Sequence, residues 1–192
     1  MGRELELKYR ATAEQIAAIE EAFGAFTPIS METTYYDSPD RTLRQLHWTL
    51  RRRMENGISV CTLKTPLPDG SRGEWETERA SIEEAIPELC KLSASRQLAA
   101  LTAQGVIPTC GARFTRLAKT LEEATVTVEL ALDRGILTGG GQELPFAEVE
   151  VEYKSGSEAA ALAFAGELAR KFGLTPEPRS KVARAMALAE NS

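Results

Sequence analysis

The chain has 192 residues, of which 43% are hydrophobic and 27% charged, with a formal net charge of −5. It is long enough to bury roughly 70% of its unfolded surface, and its acidic balance excludes an overall basic field for nucleic acid. A single histidine excludes His-based triads and multi-histidine metal centres, so any metal must be held by oxygen ligands. Three cysteines without a CxxC spacing argue against a disulfide framework or thiolate zinc. Reduced thiols, a charged first decapeptide without a signal pattern, and no apolar run near ~18 residues predict a cytoplasmic protein with no membrane partner.

In chain order, RELELKYR (3–10) alternates as a strand, with Glu4, Glu6 and Lys8 on one face and Leu5, Leu7 and Tyr9 on the other. TAEQIAAIEEAF is a helix opened by a Thr12–Gln15 capping box. METTYYD is a short strand ended by the turn SPD, and RTLRQL one helical turn. WTLRRRMENGISVCTLKT is a hairpin around Asn56-Gly57, residues that accept the positive φ angles of a two-residue turn. EWETERA is a further strand. Residues 82–104 read as two helical pieces, the first containing Pro87. Strands follow near 111–120 and 124–133, then a Gly-rich loop, TGGGQ, and the strand FAEVEVEYK. A helix from Ser157 to Gly173 and a short closing helix, SKVARAMALAE, complete the pattern. No repeat or linker interrupts residues 1–192, so one domain is expected. Neighbouring strands with hairpin-length links predict an α+β fold with an antiparallel sheet of about eight strands, enough to close a barrel.

The strand faces carry the chemistry. Arg51 and Arg53 share a face against Leu50, Arg52 and Met54, and Lys64 opposes Leu63. Glu74, Glu76 and Glu78 oppose Trp75 and Thr77. Glu129 and Asp133 oppose Val128, Leu130 and Leu132, and Glu148, Glu150 and Glu152 oppose Val149, Val151 and Tyr153. A wetted sheet face alternates in the same way, which explains any single strand. The whole set asks for more, because like charges stacked on one face repel unless an opposite charge sits between them. A divalent cation relieves carboxylates and a polyanion relieves arginines, and a metal–polyphosphate complex does both. The isolated residues read as structural: His47 in a loop or at the surface, Trp48 and Trp75 as packing, Cys61 and Cys110 as small hydrophobes. No aromatic constellation visibly builds a base or thiazole pocket.

These residues resemble the CYTH proteins, the triphosphate tunnel metalloenzymes. ELELK at 4–8 matches the family's Glu-x-Glu-x-Lys opening. TYYDSPDRTLRQLHWTLRRR, TLK at 62–64, RGEWETE, FTR at 114–116, VELALD at 128–133, AEVEVEYKSG and SKVAR follow in the family's order along nearly the whole chain. The resemblance is greatest to the bacterial triphosphatase branch. It implies a closed eight-stranded antiparallel β-barrel forming a tunnel, with helices outside and polar strand faces inside.

The same resemblance implies Mg²⁺ or Mn²⁺ bound by Glu4 and Glu6 with Glu148, Glu150 or Glu152, Glu150 being the central candidate. Lys8, Arg51, Arg53, Lys64 and Arg116 would hold a triphosphate, and Lys181 would cap one tunnel end near the terminal phosphate. The implied catalytic set is Glu4, Glu6, Lys8, Glu129 and Lys181. Glu74, Glu76, Glu129 and Asp133 would orient basic side chains, bind a second metal or position water, or else form internal salt bridges. Many relatives carry a basic residue two positions after Arg116; here that position is Ala118, with Lys119 one step on. The expected activity is hydrolysis of inorganic triphosphate to pyrophosphate and phosphate. The alternatives are thiamine triphosphatase, a class IV adenylyl cyclase-like enzyme, and a non-catalytic polyphosphate-binding module.

Overall fold

The computed structural model describes residues 5–68, 72–93 and 96–190. In chain order the elements are β1 (Glu6–Arg10), α1 (Ala13–Phe23), β2 (Thr27–Asp37), α2 (Thr42–Gln45), β3 (Thr49–Glu55), β4 (Ile58–Pro66), β5 (Arg72–Glu78), α3 (Ile82–Leu92), α4 (Arg96–Leu101), β6 (Ile107–Glu123), β7 (Val126–Gly139), β8 (Gln142–Gly156), α5 (Glu158–Phe172), β9 (Thr175–Pro176) and α6 (Lys181–Glu190). The expected α+β class is what the chain adopts. Among the described residues the strands form one antiparallel sheet in the order β5-β4-β3-β2-β6-β7-β8-β1-β9.

The expected barrel is corrected in two respects. The sheet has nine strands, and its pairing order is open, with no β5–β1 ladder among the described residues. The reason lies at the outer edge of β1. Tyr9 and Arg10 pair with Pro176 and Thr175, and the Glu177 N–H donates to the Lys8 carbonyl at 2.9 Å. The two-residue β9 was too short to leave a periodic signal in the sequence. The sheet nevertheless curls: side chains of β1 through β8 and of α6 line one cavity of about 510 Å³.

Alternation explains the curl. Apolar residues of β1, β7 and β8 pack outward against α1 and α5, where Ile16, Ile19, Leu130, Leu132, Val149, Val151 and Ala165 are buried. A second cluster packs Leu50, Cys61 and Leu63 of β3 and β4 against Ile82, Ala85 and Leu89 of α3 and Leu98 of α4. Each such fully buried side chain contributes about 1.5–3 kcal/mol, so the charged alternate residues must face inward. Trp48 and Trp75 pack against this second cluster, and Cys61 and Cys110 are buried free thiols. Pro87 lies inside α3 without ending it, because Ile82, Ala85 and Leu89 anchor both sides. A third cluster seats α6 across one end of the cavity, through Ala185 against Met31, Tyr35, Phe114 and Leu137.

Local signals set the remaining joints. Thr12 and Gln15 exchange the two bonds of the capping box, and Gln15 Nε2 donates to the Phe172 and Gly173 carbonyls, tying α1 to the end of α5. Asn56 and Gly57 have φ of 49° and 89° in the β3–β4 turn. The TGGGQ stretch divides its labour. Gly140 and Gly141 make a two-residue turn with φ of 56° and 75°, whereas Gly139 is the close contact with α6. Strands β6 and β7 extend well beyond the expected spans.

Candidate active site

On the β3–β4–β5 wall, the period-2 pattern points Arg51, Arg53, Lys64, Glu74 and Glu76 into the cavity. Lys64 and Glu74 are cross-strand partners, as are Thr62 and Glu76. Glu74 Oε1 lies 3.2 Å from Lys64 Nζ and 3.5 Å from Arg51 Nη2, and Thr62 Oγ1 donates to Glu76 Oε1 at 2.9 Å. Arg53 pairs with Glu55. The Nε atoms of Arg51 and Arg53 are buried, with no hydrogen-bond partner among the described residues. Burial, then the neighbouring Arg51 charge, push Arg53 below the ordinary arginine range. This wall pairs Arg51, Arg53 and Lys64 with Glu55, Glu74 and Glu76 and still keeps two buried arginine Nε donors unspent. Arg52 faces the other way, where its Nε donates to Ser59 Oγ.

The cavity floor rests on a largely buried ionic cluster, of which Arg116, Glu150 and Lys181 reach the cavity. Arg116 grips Asp133 with two bonds of 2.8 and 2.7 Å and also pairs with Glu150. Lys181 Nζ lies 2.7 Å from Asp133 Oδ2 and 2.7 Å from Glu150 Oε1, and contacts Glu148. Arg184 closes the set by pairing with Glu148. The rings of Phe114 and Phe146 flank the Lys181 ammonium at 5.1 and 5.6 Å. Burial would lower Lys181, but Glu150, Asp133 and Glu148 outweigh it and hold the ammonium above its usual range. Burial would raise Glu150, but Lys181 and Arg116 hold it well below the usual carboxylate range. Burial, with help from the adjacent Glu150, leaves Glu148 raised despite its cationic partners.

The ligand atoms of Asp133, Glu148 and Glu150 lie within 4.8 Å of one another, a spacing a metal could use. A lysine ammonium already sits among them, however, and three cations balance the three carboxylates. Adding a divalent ion would place it against Lys181, Arg116 and Arg184 in a dry site.

A second carboxylate row behaves differently. Strands β7, β8 and β1 set Glu129, Glu152 and Glu6 side by side, Glu129 opposite Glu152 and Glu152 opposite Glu6. All three line the cavity. Lys154 Nζ lies 3.0 Å from Glu152 and 3.8 Å from Glu129, and Lys8 Nζ lies 3.8 Å from Glu6. The row is partly open to water and offers only oxygens, a donor set that suits Mg²⁺ or Mn²⁺. Glu4 lies outside the described residues.

The cavity therefore gathers Glu6, Lys8, Arg51, Arg53, Lys64, Glu74, Glu76, Arg116, Glu129, Glu150, Glu152 and Lys181 from the sequence expectation. Asp133 and Glu148 are fully buried and do not line it. Lys119 does not replace the basic residue missing at Ala118. The β6–β7 register runs unbroken through both positions, and Lys119 Nζ turns outward to the Phe23 carbonyl and the Phe26 ring. Sequence reasoning missed Glu55, Lys154 and Arg184. The first two simply continue the Arg-x-Arg and Glu-x-Glu-x-Glu alternations, and Arg184 lies one helical turn beyond Lys181. A second cavity of about 260 Å³ adjoins the first, sharing Tyr35, Thr49, Arg72, Ser180 and Val182 with it; Tyr36, His47, Trp48 and Met186 also line it. That aromatic lining was not visible in the sequence, because it joins β2, the α2–β3 link and α6 only in space.

A family model described as the CYTH domain matches residues 2–186. An inorganic triphosphatase of Haemophilus influenzae is 28% identical over 164 residues, covering 82% of this chain and 47% of that protein. The chain thus spans about half the length of this curated relative. A Bacillus halodurans protein provisionally described as an adenylate cyclase superposes with a TM-score of 0.69 at 22% identity, covering 96% of this chain and 98% of that one. A Hippeastrum protein, first taken for an adenylyl cyclase and described as having a dominant triphosphatase activity, superposes with a TM-score of 0.67 at 17% identity, covering 96% and 95%. Both structural likenesses concern the fold.

Proposed function

The chain belongs to the CYTH domain family, and on that premise we propose that it is a metal-dependent triphosphatase with inorganic triphosphate as its favoured substrate. The observation that carries this reading is the opposition of two walls across one cavity. Arg51 and Arg53 offer buried, unpaired Nε donors on one wall, and Glu129, Glu152 and Glu6 form an all-oxygen row on the other. A chain of tetrahedral phosphates carrying its own cation fills both needs.

Arg51, Arg53 and Lys64 grip phosphate oxygens, trading their contacts with Glu55, Glu74 and Glu76 for stronger charge-assisted bonds. Lys8 and Arg116 neutralise the middle of the chain, and Lys181 holds the electrostatic end where α6 closes the cavity. Glu6, Glu152 and Glu129, with Glu4 joining them, would hold Mg²⁺ or Mn²⁺; when bound, that ion polarises phosphate oxygens and offsets developing charge. A carboxylate of the row accepts a hydrogen bond from the attacking water and aims it in line at the terminal phosphorus. The P–O–P bridge breaks, its electrons leave with pyrophosphate, and the water oxygen leaves in orthophosphate. Positioning and charge neutralisation supply most of the catalysis.

The relative's activity supports this reading, as does the all-oxygen row on β1, β7 and β8. A pure polyanion binder would gain nothing from the Glu6–Glu152–Glu129 row. The adjoining aromatic cavity favours one second reading, an organic triphosphate whose flat group rests against Trp48 and Tyr36. The test is orthophosphate release from inorganic triphosphate, ATP and thiamine triphosphate with Mg²⁺, Mn²⁺ or EDTA. Fastest metal-dependent release from inorganic triphosphate supports the proposal. Faster release from thiamine triphosphate or ATP transfers it to the organic substrate, and pyrophosphate with cyclic AMP from ATP replaces hydrolysis by cyclisation.

A further inference from the structure

Among the described residues, Lys181 bridges the acids of the Asp133–Glu148–Glu150 cluster and Lys154 bridges two acids of the Glu6–Glu152–Glu129 row, where Lys8 touches Glu6 alone; the two bridging lysines are fixed to very different degrees. Lys181 is 10% exposed, touches all three acids of its triad and is boxed by two aromatic rings. Lys154 is 38% exposed, lines the cavity and contacts two acids of the second triad, Glu152 and Glu129, at 3.0 and 3.8 Å. The backbone aims it there. The β7–β8 register pairs Val128 with Tyr153 and Thr127 with Ser155, so Lys154 is the extra residue of a β-bulge. Its inward direction continues the two-residue alternation of Glu150 and Glu152, while the bulge leaves it without a partner residue on β7.

We propose that Lys154 is a place-holder cation, resting in the Glu6–Glu152–Glu129 row until a divalent metal displaces it. The inference rests on the metal-site reading given above. Three aligned carboxylates on adjacent strands repel one another when no cation is near. A lysine tethered two residues away relieves that repulsion and keeps the row assembled. Its ammonium is a compact charge on a flexible stem, and a partly exposed pair of this kind is held weakly. A doubly charged ion bound by several carboxylate oxygens outcompetes it, and the freed ammonium swings into the cavity or to its mouth. Lys181 cannot do the same, because releasing it would strand three buried acids.

The test is Mn²⁺ binding by calorimetry and electron paramagnetic resonance, without substrate, on wild type, Lys154→Met, Glu152→Gln and Lys91→Met. Lys91 is an exposed lysine on α3, so its variant removes the same unit of charge far from the site. Lys154→Met is expected to bind Mn²⁺ roughly 3- to 10-fold more tightly than wild type, as loss of a competing cation at a partly screened distance requires, and Lys91→Met to match wild type. Equal or weaker binding by Lys154→Met overturns the place-holder while leaving the metal site standing if Glu152→Gln abolishes binding. Binding undiminished in Glu152→Gln overturns both. An independent readout uses wild type alone: acetic anhydride should label Lys154 faster once Mn²⁺ saturates the protein, and protection by Mn²⁺ contradicts the proposal.

Discussion

Lys181 Nζ, at the start of α6, lies 2.7 Å from Glu150 Oε1 on β8. This contact joins the helix that closes the cavity to the strand that supplies Glu150 and Glu152 to its lining. Removing one partner leaves the other charged and buried. Lys181→Met is expected to destabilise the protein by about 3–5 kcal/mol, the usual cost of orphaning a buried charge, read from urea unfolding. Phosphate release should fall with it, because α6 loses its anchor.

The same pair sets an acid dependence. The folded-state pKa of Glu150 is depressed, so its contribution to stability is present above the unfolded value, near 4.5, and is lost as pH falls through the lower folded value. Glu148, raised in the fold, works weakly in the opposite sense. Wild type should therefore lose stability steeply below pH 4.5, whereas Glu150→Gln should start lower and fall less steeply. Urea midpoints between pH 3 and 7 measure both slopes, and parallel slopes would contradict the assignment.

Arg53 costs the free protein something to bury, with its Nε unpaired and Arg51 beside it. Arg53→Ala relieves that burial but leaves Glu55 without its partner, so it should shift stability by no more than about 1–3 kcal/mol and weaken triphosphate binding by about 10–100-fold, the worth of one charge-assisted hydrogen-bonding group. Calorimetry with inorganic triphosphate measures the loss.

Gly139 has a role beyond its turn. A Cβ there would lie 2.2 Å from the Ala185 carbonyl oxygen and 3.1 Å from Ala189 N. Gly139→Ala should push α6 off the sheet at a cost of about 1–3 kcal/mol. Amide exchange in residues 182–190 should quicken while exchange in α5 does not.

Much of this architecture was legible because alternation is a local signal. Each charged strand face was readable two residues at a time, as was the Thr12–Gln15 cap. Relations between distant strands were not. The resemblance made Glu150 the central metal candidate without showing its neighbours: the fold sets Arg116 and Lys181 against it, while Glu152, Glu129 and Glu6 form the more open carboxylate row. Barrel closure failed as an expectation because the two residues of β9 occupy an edge that no periodicity could reveal. The Lys154 bulge is likewise a property of register, which only the paired strand defines.

The most direct test of the account is metal-dependent phosphate release from inorganic triphosphate by wild type and Glu152→Gln, beside triphosphate binding by both. The account predicts release that needs Mg²⁺ or Mn²⁺, stops with EDTA and falls by at least about 100-fold in the variant, while the arginine wall still binds triphosphate. Equal release by the two proteins, or release unaffected by EDTA, would contradict it.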